Sequence, residues 1–266
     1  MIEYIDTHAH LDPKSCPDAG AAIEEARRAG VRWIVVPGID PETSRQGAQL
    51  AEKHPGVCFA PGIHCHEASR FSEDDLPEIS SLLCHPKAVA LGEVGLDYHY
   101  DFTPPPVQRE LLNAQMDLAR KTGKPLILHC RKAEEDLWRM IKSYQGKLRG
   151  VVHCYTGTPY WATKFVEEGF HIGFTGIITF RKAGEIREAL KAVPQDRILT
   201  ETDSPYMTPV PHRGKKNSPA LLPLIAEEAA RIKRSTIQKM APVFLRNASE
   251  CFNLDLKEDI LKNTDS

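Results

Sequence analysis

Residues 125–129 read Pro-Leu-Ile-Leu-His, a short run that is apolar up to its last residue. The stretches WIVVP (residues 33–37) and AVALG (residues 88–92) are apolar in the same way. Strands that are covered on both faces have this composition, and they belong to parallel sheets flanked by helices. These runs therefore predict an α/β protein built around a parallel sheet.

Runs of this kind alternate along the chain with longer stretches of helical period. The predicted strands are Ile2–Asp6, Arg32–Pro37, Val57–Pro61, Ala88–Glu93, Pro125–His129, Gly150–His153, Phe170–Phe174 and Arg197–Thr200. The predicted helices include Ala19–Ala29, Pro41–Lys53, Asp74–Cys84, Pro105–Thr122, Trp161–Glu168 and Gly184–Ala192. This alternation predicts right-handed crossovers between parallel strands. Eight strands in 266 residues favour a closed (β/α)8 TIM barrel over an open sheet.

Two further helices are predicted after the eighth strand and its long loop, Thr202–Asn217. They span Pro219–Arg234 and Thr236–Phe252, and a capping box formed by Ser235 and Gln238 separates them. No repeat or linker divides the sequence. We therefore expect a single domain over residues 1–256, followed by a polar tail, residues 257–266, that frays.

The composition is that of an ordinary soluble protein, with 41% hydrophobic and 26% charged residues. A net charge of −2 excludes a global positive field that would draw the chain onto nucleic acid. Seven cysteines without a CxxC pair favour reduced thiols. The amino-terminal sequence MIEYIDTHAH has no secretory pattern, and no apolar run approaches the length of a membrane span. We expect a cytoplasmic protein with no membrane partner.

Residues that bind metals stand at the ends of five predicted strands. They are His8 and His10 after the first strand, Glu93 at the fourth, His129 at the fifth, His153 at the sixth and Asp203 after the eighth. The carboxyl ends of barrel strands form one ring, so these residues meet at one mouth. His8 and His10 are two residues apart and face the same way on an extended backbone. One such residue alone is more often structural, but five strand ends together predict a metal centre.

Several motifs, in this order, resemble the TatD family of metal-dependent deoxyribonucleases, within the amidohydrolase superfamily. They are DTHAHLD (6–12), GIHCH (62–66), LGEVGLDYHY (91–100), PLILHCR (125–131), GVVHCYTG (150–157) and TETDSPY (200–206). The resemblance spans nearly the whole chain. It implies an exonuclease that acts on DNA, single-stranded or at an end, and that uses His8, His10, Glu93, His129, His153 and Asp203 as metal ligands. Cys65 departs from the family pattern, in which Pro is expected between the two histidines, and this affects only the stiffness of the loop.

The net charge of the filled metal site also agrees with the hydrolysis of a phosphodiester. Two divalent cations, opposed by Glu93, Asp203 and a bridging hydroxide, leave about one positive charge, which suits an anionic phosphodiester. Our hypothesis is that His8, His10 and Asp203 hold one cation, that His129 and His153 hold the other, and that Glu93 bridges them. Asp203 also accepts the proton of the attacking, metal-activated water. Four imidazoles favour Zn or Mn as the metal, whereas nuclease chemistry often uses Mg.

Other residues near the mouth are candidates for substrate contact. His64 either contacts a substrate phosphate or organises its loop. Arg213 and Asn217 lie in HRGKKNSP (212–219), and with Arg131 and Lys132 they predict a basic rim for phosphates or an ordinary solvated surface. The family resemblance favours a substrate role for Arg213 and Asn217.

Some neighbours of the predicted ligands have two alternative roles. Tyr98, Tyr155 and Phe180 are either platforms for unpaired bases or loop anchors. Glu201 and Asp6 either orient a ligand histidine or are buried, hydrogen-bonded carboxylates, and His66 is expected to be structural. Strand alternation turns Cys130 and Cys154 away from the metals, behind the strands.

Two other functions remain open at this stage. The same dinuclear site can hydrolyse an ester or amide, such as that of a D-aminoacyl-tRNA, because a fold does not fix a reaction. A more remote alternative is a non-catalytic barrel that keeps its metals for folding. The presence of every expected ligand argues against this last reading.

Overall fold

Eight parallel strands and the helices between them make up the computed structural model, which describes residues 2–72 and 74–256. The strands are β1 (Tyr4–Asp6), β2 (Val31–Pro37), β3 (Val57–Ala60), β4 (Leu91–Asp97), β5 (Leu126–Arg131), β6 (Gly150–Val152), β7 (His171–Phe174) and β8 (Ile198–Thr200). The helices are α1 (Ala19–Arg28), α2 (Pro41–Lys53), α3 (Asp75–Leu82), α4 (Pro105–Thr122), α5 (Glu134–Ser143), α6 (Pro159–Glu167), α7 (Gly184–Ala192), α8 (Leu222–Ile232) and α9 (Ile237–Phe252). The predicted tail, residues 257–266, lies outside the described residues.

The strands follow one another in chain order as two ladders, β1-β2-β3 and β4-β5-β6-β7-β8. Backbone hydrogen bonds continue across both seams between the ladders. At the β3–β4 seam, Val89 N donates to Phe59 O at 2.9 Å. At the β8–β1 seam, Asp203 N donates to His8 O at 2.9 Å. The two ladders therefore close into one ring, and the predicted (β/α)8 barrel is confirmed.

Helix α9 closes the end of the barrel at which the strands begin. Its residues Ala248, Cys251 and Phe252 join the apolar cluster formed by the inward-facing strand residues, among them Ile5, Trp33, Val35, Ala60, Ala90, Ile127, Val151 and Leu199. Asn247 donates from its amide to the carbonyl of Ile198, the first residue of β8. The opposite end, where the strands finish, is left for polar residues. Burying each large aliphatic or aromatic side chain contributes about 1.5–3 kcal/mol.

The structure corrects the predicted bounds of two strands. Strand β4 was expected over Ala88–Glu93 but runs from Leu91 to Asp97, and β5 continues past His129 to Arg131. The pairing of β4 with β5 shifts register between Leu91 and Val94. This irregularity lets Glu93 face the mouth while the strand continues beyond it, which a uniform apolar pattern does not reveal.

Two details of the helices also differ. Helix α5, which fills the crossover between β5 and β6, is absent from the predicted helices. The capping box at Ser235 and Gln238 was wrong, because Thr236 is the N-cap of α9 and makes no side-chain cap hydrogen bond. Ser235 instead donates its backbone N–H to Ala230 O at the end of α8.

No helix within residues 2–72 and 74–256 has both the length and the apolar character needed to cross a membrane. The cytoplasmic location stays a prediction.

Candidate metal centre

The six predicted ligands converge at the mouth of the barrel from five different strands or the residues that follow them. His8 and His10 follow β1, Glu93 lies within β4, His129 lies within β5, His153 follows β6 and Asp203 follows β8. Four of the six are buried, with less than a tenth of their surface exposed, and the other two, His10 and His129, are partly exposed. The barrel thus brings four imidazoles and two carboxylates out of bulk water and into contact.

The first group joins the two histidines of β1 to Asp203 and to one oxygen of Glu93. The Nε2 atoms of His8 and His10 are 3.3 Å apart. Glu93 Oε2 lies 3.4 Å and 3.5 Å from these two atoms, and Asp203 Oδ1 lies 3.8 Å and 3.6 Å from them. Ligand atoms about 2.1 Å from a tetrahedral ion are separated by roughly 3.4 Å. The four donor atoms therefore fit a divalent cation.

The second group surrounds the other oxygen of the same carboxylate. Glu93 Oε1 lies 2.7 Å from His153 Nε2 and 2.9 Å from His129 Nδ1. His64 Nε2 approaches this oxygen to 3.3 Å from the β3 side. The rings of His8 and His153 stack between the groups, with centroids 3.9 Å apart. One carboxylate therefore presents a separate oxygen to each group.

Four sets of described residues could hold a metal ion, and three of them contain predicted ligands: His8–Glu93–His153, His8–His10–Asp203 and His64–Glu93–His129. Each of these three sets takes at least one residue from the β1–β3 ladder or its following loop. Each also takes at least one from the β4–β8 ladder or its following loop. The candidate metal centre therefore spans both seams of the barrel.

Two buried carboxylates hold the loops that carry the ligands. Asp6 accepts from the backbone N–H of Thr202 at 2.9 Å and from the Thr202 hydroxyl at 2.6 Å, which ties β1 to the loop after β8. Glu201 accepts from Cys154 N at 2.5 Å and lies 3.7 Å from His153 Nδ1. Burial raises the pKa of each carboxyl to about 7. Glu201 faces His153 Nδ1 but is too far for a hydrogen bond, and that nitrogen has no partner among the described residues, so the orienting role that the sequence left open for Glu201 stays a prediction.

Asp97 was missed by the sequence reasoning. Its Oδ2 lies 2.9 Å from His66 Nε2 and 3.3 Å from His129 Nε2. Its Oδ1 accepts from the backbone N–H groups of His99 and Tyr100, which anchors the loop after β4. A signal was available: Asp97 stands four residues after Glu93, so it shares the same face of an extended strand. His66, expected to be structural, contacts this carboxylate.

The electrostatics of the centre favour cations. Burial opposes ionisation of Glu93, but the charges of His153 and His64 and the hydrogen bonds from His129 and His153 hold its pKa well below its ordinary value. Burial is likewise outweighed at Asp203, whose pKa is lowered by its histidine neighbours, His10 first among them. Burial lowers the pKa of His8 to about 4, which keeps this imidazole neutral. Ionised carboxylates and a neutral imidazole are the protonation states in which such side chains bind metal. At His10, His129 and His153 burial is outweighed by the neighbouring carboxylates, which raise the pKa, so metal binding to these imidazoles displaces protons.

The predicted substrate contacts occupy different environments. His64 is buried and faces Glu93, as described above. Arg213 lies over the ring of Phe180, with its guanidinium carbon 4.1 Å from the centroid, beside a surface cavity of about 550 Å³. Asn217 is buried, and its amide donates to Thr202 O at 2.8 Å and to Tyr206 O at 2.6 Å. Its side chain thus organises its own loop, and its contact with substrate stays a prediction.

At the mouth, the structure favours one of two alternatives for Tyr155 and corrects the expectation for Cys154. Tyr155 is buried and donates its hydroxyl to Thr158 O at 2.6 Å, so it anchors a loop and offers no face for a base. Cys154 was expected to turn away from the metals, but its φ of 44° breaks the strand alternation. Its thiol lies 3.8 Å from the Thr175 hydroxyl. Burial is the largest cause that raises the pKa of this thiol, and the negative charge of Asp203 is the second. Cys130 does pack in the core behind β5.

Comparison with known proteins agrees with this centre. The family model described as "TatD related DNase" matches residues 5–253. The chain is 36% identical over 252 residues to the "Uncharacterized metal-dependent hydrolase YabD" of Bacillus subtilis, which covers 94% of this chain and 99% of that protein. It is 36% identical over 244 residues to the "3'-5' ssDNA/RNA exonuclease TatD" of Erwinia tasmaniensis, covering 89% and 94% of the two chains.

A solved structure shows the same architecture. The crystal structure of YJJV, a TatD homologue from Escherichia coli K12, superposes with a TM-score of 0.89. It is 31% identical in sequence and covers 94% of this chain and 98% of its own. A full-length family match and relatives of this similarity leave one conclusion: the chain is a metal-dependent hydrolase that belongs to the family of TatD related DNases.

Proposed function

We propose that this hydrolase cleaves phosphodiester bonds of single-stranded DNA from an end, with two divalent cations at the barrel mouth. The observation that carries the proposal is the split carboxylate of Glu93, whose Oε2 faces His8 and His10 and whose Oε1 faces His129 and His153. A carboxylate placed in this way can bridge two metals. The relative from Erwinia tasmaniensis, named as an exonuclease on single-stranded DNA and RNA, supports the choice of substrate.

In this proposal His8, His10 and Asp203 would hold one cation, His129 and His153 would hold the other, and Glu93 would contribute to both. Two cations at these positions would lower the pKa of a water and offset the charge that develops on the phosphate oxygens. His64, which approaches from the β3 side, contacts the phosphate of the substrate.

Asp203 accepts the proton of the attacking water. Its lowered pKa keeps the carboxylate ionised near neutral pH, so it is available as a base. Its φ of 53° is in the left-handed region, which non-glycine residues rarely adopt and which often marks functional positions. Backbone hydrogen bonds from Asp203 N to His8 O and from Tyr206 N to Asp203 O hold it there.

Few positive side chains are needed for this substrate. An enzyme that grips one terminus makes few phosphate contacts, which agrees with the net charge of −2. Arg213, Lys215 and Lys216 are exposed on the loop after β8, and they supply a local basic rim. We propose that this rim binds the phosphates that follow the cleaved one.

The test is a time course on single-stranded oligonucleotides labelled at the 5′ end or at the 3′ end, with Mg, Mn or Zn added to metal-free protein. An exonuclease releases labelled mononucleotide at the earliest times from one labelled end and gives a descending ladder from the other. D-aminoacyl-tRNA is incubated in parallel. Acyl release without nucleotide release would replace the nuclease with a deacylase that uses the same centre.

A further inference from the structure

Two aromatic rings stand exposed on the loop that follows β4. Tyr100 is 44% exposed and Phe102 is 61% exposed, whereas Leu96 of β4 and Leu111 of α4, on either side of this loop, are buried. Their ring centroids are 5.2 Å apart and their planes differ by 29°, so the two rings stack on each other. We call this pair the ring platform. Exposed aromatic surface beside a polar site often marks a binding surface.

The platform is held in place by the carboxylate that also contacts a predicted metal ligand. Asp97 Oδ1 accepts from Tyr100 N at 3.2 Å, and Thr103 Oγ1 donates to His66 O at 3.1 Å. Gln108 donates to the carbonyls of Asp97 and Thr103 and so fixes both ends of the loop. The rings are thus positioned before any ligand arrives, which reduces the entropy cost of binding.

A single imidazole separates the platform from the metal centre. The rings of Phe102 and His66 have centroids 4.8 Å apart, and the rings of His66 and His129 have centroids 6.1 Å apart. His129 is one of the proposed ligands of the second cation. A nucleotide next to the phosphate bound at that cation can therefore reach the platform.

The charge beside the rings indicates what binds there. The guanidinium of Arg131 lies 4.7 Å from the centroid of the Tyr100 ring. The guanidinium therefore covers a face of Tyr100, and Tyr100 also stacks on Phe102, so the more exposed ring of Phe102 is the surface offered to a ligand. An exposed ring with a cation close by suits a base and its adjoining phosphate, because every base has a π-face and every linkage has a negative charge. An apolar protein partner offers no negative group that could pair with this guanidinium, so it fits the site less well.

We propose that Phe102, supported from behind by Tyr100, binds by stacking one unpaired base adjacent to the cleaved linkage, with Arg131, which lies over the Tyr100 ring, placed for its phosphate. This inference rests on the proposed nuclease function, and it names the feature of the substrate that the enzyme recognises. Stacking requires a base that is free of its partner strand. The platform therefore provides a physical reason for a single-stranded substrate that does not depend on the base sequence.

The test measures the binding of a fluorescent single-stranded oligothymidylate by anisotropy, in the presence of Mn, with every variant made in an Asp203→Ala background that prevents cleavage. Phe102→Ala and Phe102→Leu are expected to raise the Kd about 10-fold, and Phe102→Trp to restore it. Tyr100→Ala is expected to act in the same direction. The matched control is Tyr160→Ala, because Tyr160 is also 61% exposed and its ring contacts are with Trp161 and Lys164.

A second arm replaces single bases of the oligonucleotide by abasic sites, one position at a time. One position is expected to weaken binding when Phe102 is present and to have no further effect in Phe102→Ala. The platform is refuted if Kd is unchanged by both alanine variants, if Phe102→Leu binds as tightly as the parent, or if no abasic position couples to Phe102. Cleavage by the protein with Asp203 intact is scored separately, so loss of the nuclease proposal and loss of the platform are different results.

Discussion

Glu201 occupies the space that a side chain on Gly173 would need. A Cβ atom built on Gly173 would lie 2.6 Å from Glu201 Oε1. Glu201 is fully buried and also accepts hydrogen bonds from Cys154 N and from the Thr7 hydroxyl, so it has no free direction in which to move. The glycine in β7 is therefore required by the carboxylate beside it.

Gly173→Ala is expected to displace Glu201 and to destabilise the protein by about 1–3 kcal/mol, the usual cost of overpacking a buried site. Activity falls as well, because the loop carrying His153 loses its support. Urea unfolding and turnover measure the two effects. Gly184→Ala is the control, since a Cβ there meets nothing within 4 Å and the residue begins a helix. Equal stability of the two variants would remove the steric argument.

Glu93→Ala is expected to abolish hydrolysis, with a loss of more than about 100-fold, and to lower the metal content of the purified protein. The physical reason is that both ligand groups lose their shared carboxylate. Elemental analysis and the oligonucleotide assay report the two outcomes. Glu24→Ala, which removes an exposed partner of Arg27, is the control. Near-normal turnover of Glu93→Ala would end the dinuclear assignment.

Asp97→Asn is expected to weaken metal affinity by about 10–100-fold without unfolding the loop after β4. An amide oxygen can still accept from His99 N and Tyr100 N, but the group facing His66 and His129 loses its charge. Metal titration of the chelated protein measures the change. Asp136→Asn, at a half-exposed carboxylate paired with Tyr98 and Arg109, is the comparison. Asp97 has no orienting role if both variants bind metal equally.

Removal of the metals is expected to lower the melting temperature. The ligand groups join residues from both ladders, so bound cations oppose separation of the sheets at the seams. Free metal at about 100 times its Kd adds about 2.7 kcal/mol to the free energy of unfolding. For a chain of this size, this raises the melting temperature by roughly 5–10 °C. Calorimetry before and after chelation, with metal added back, checks this. An unchanged melting temperature would show that the barrel closes without help from its ions.

His171→Gln is expected to reduce the loss of stability in acid. Burial, together with the charge of Arg197, lowers the pKa of His171 to about 4. In the unfolded chain His171 is therefore protonated as the pH falls below about 6.5, whereas in the folded protein it is protonated only near pH 4. Stability contributed by the neutral imidazole is present above pH 6.5 and is lost as the pH falls towards 4, by up to about 3 kcal/mol.

The measurement for His171 is the free energy of unfolding between pH 4 and pH 7, for the parent and for His171→Gln. The same substitution at His212, a partly exposed loop residue, is the control. Parallel curves for the parent and His171→Gln would contradict the prediction.

The barrel and the convergence of its ligand residues were predictable, because apolar runs that end in His or Glu repeat at one end of successive strands. The position of Glu93 within β4 was not predictable, because an apolar sequence pattern does not indicate where the pairing of two strands shifts register. The orientation of Cys154 was not predictable either, because its positive φ breaks the strand alternation and a cysteine gives no sign of such a backbone conformation. The exposure of Tyr100 and Phe102 depends on how the loop after β4 is tied to Asp97, Gln108 and Thr103, which are tertiary contacts.

The sharing of ligand groups between the two ladders also governs when the enzyme becomes active during its synthesis. His8 and His10 follow β1, whereas their carboxylate partner, Asp203, is synthesised only after seven further strands. An unfinished chain therefore holds a pair of imidazoles without the acid that completes the first group. A truncated product of translation would carry most of the barrel and still lack a complete first ligand group.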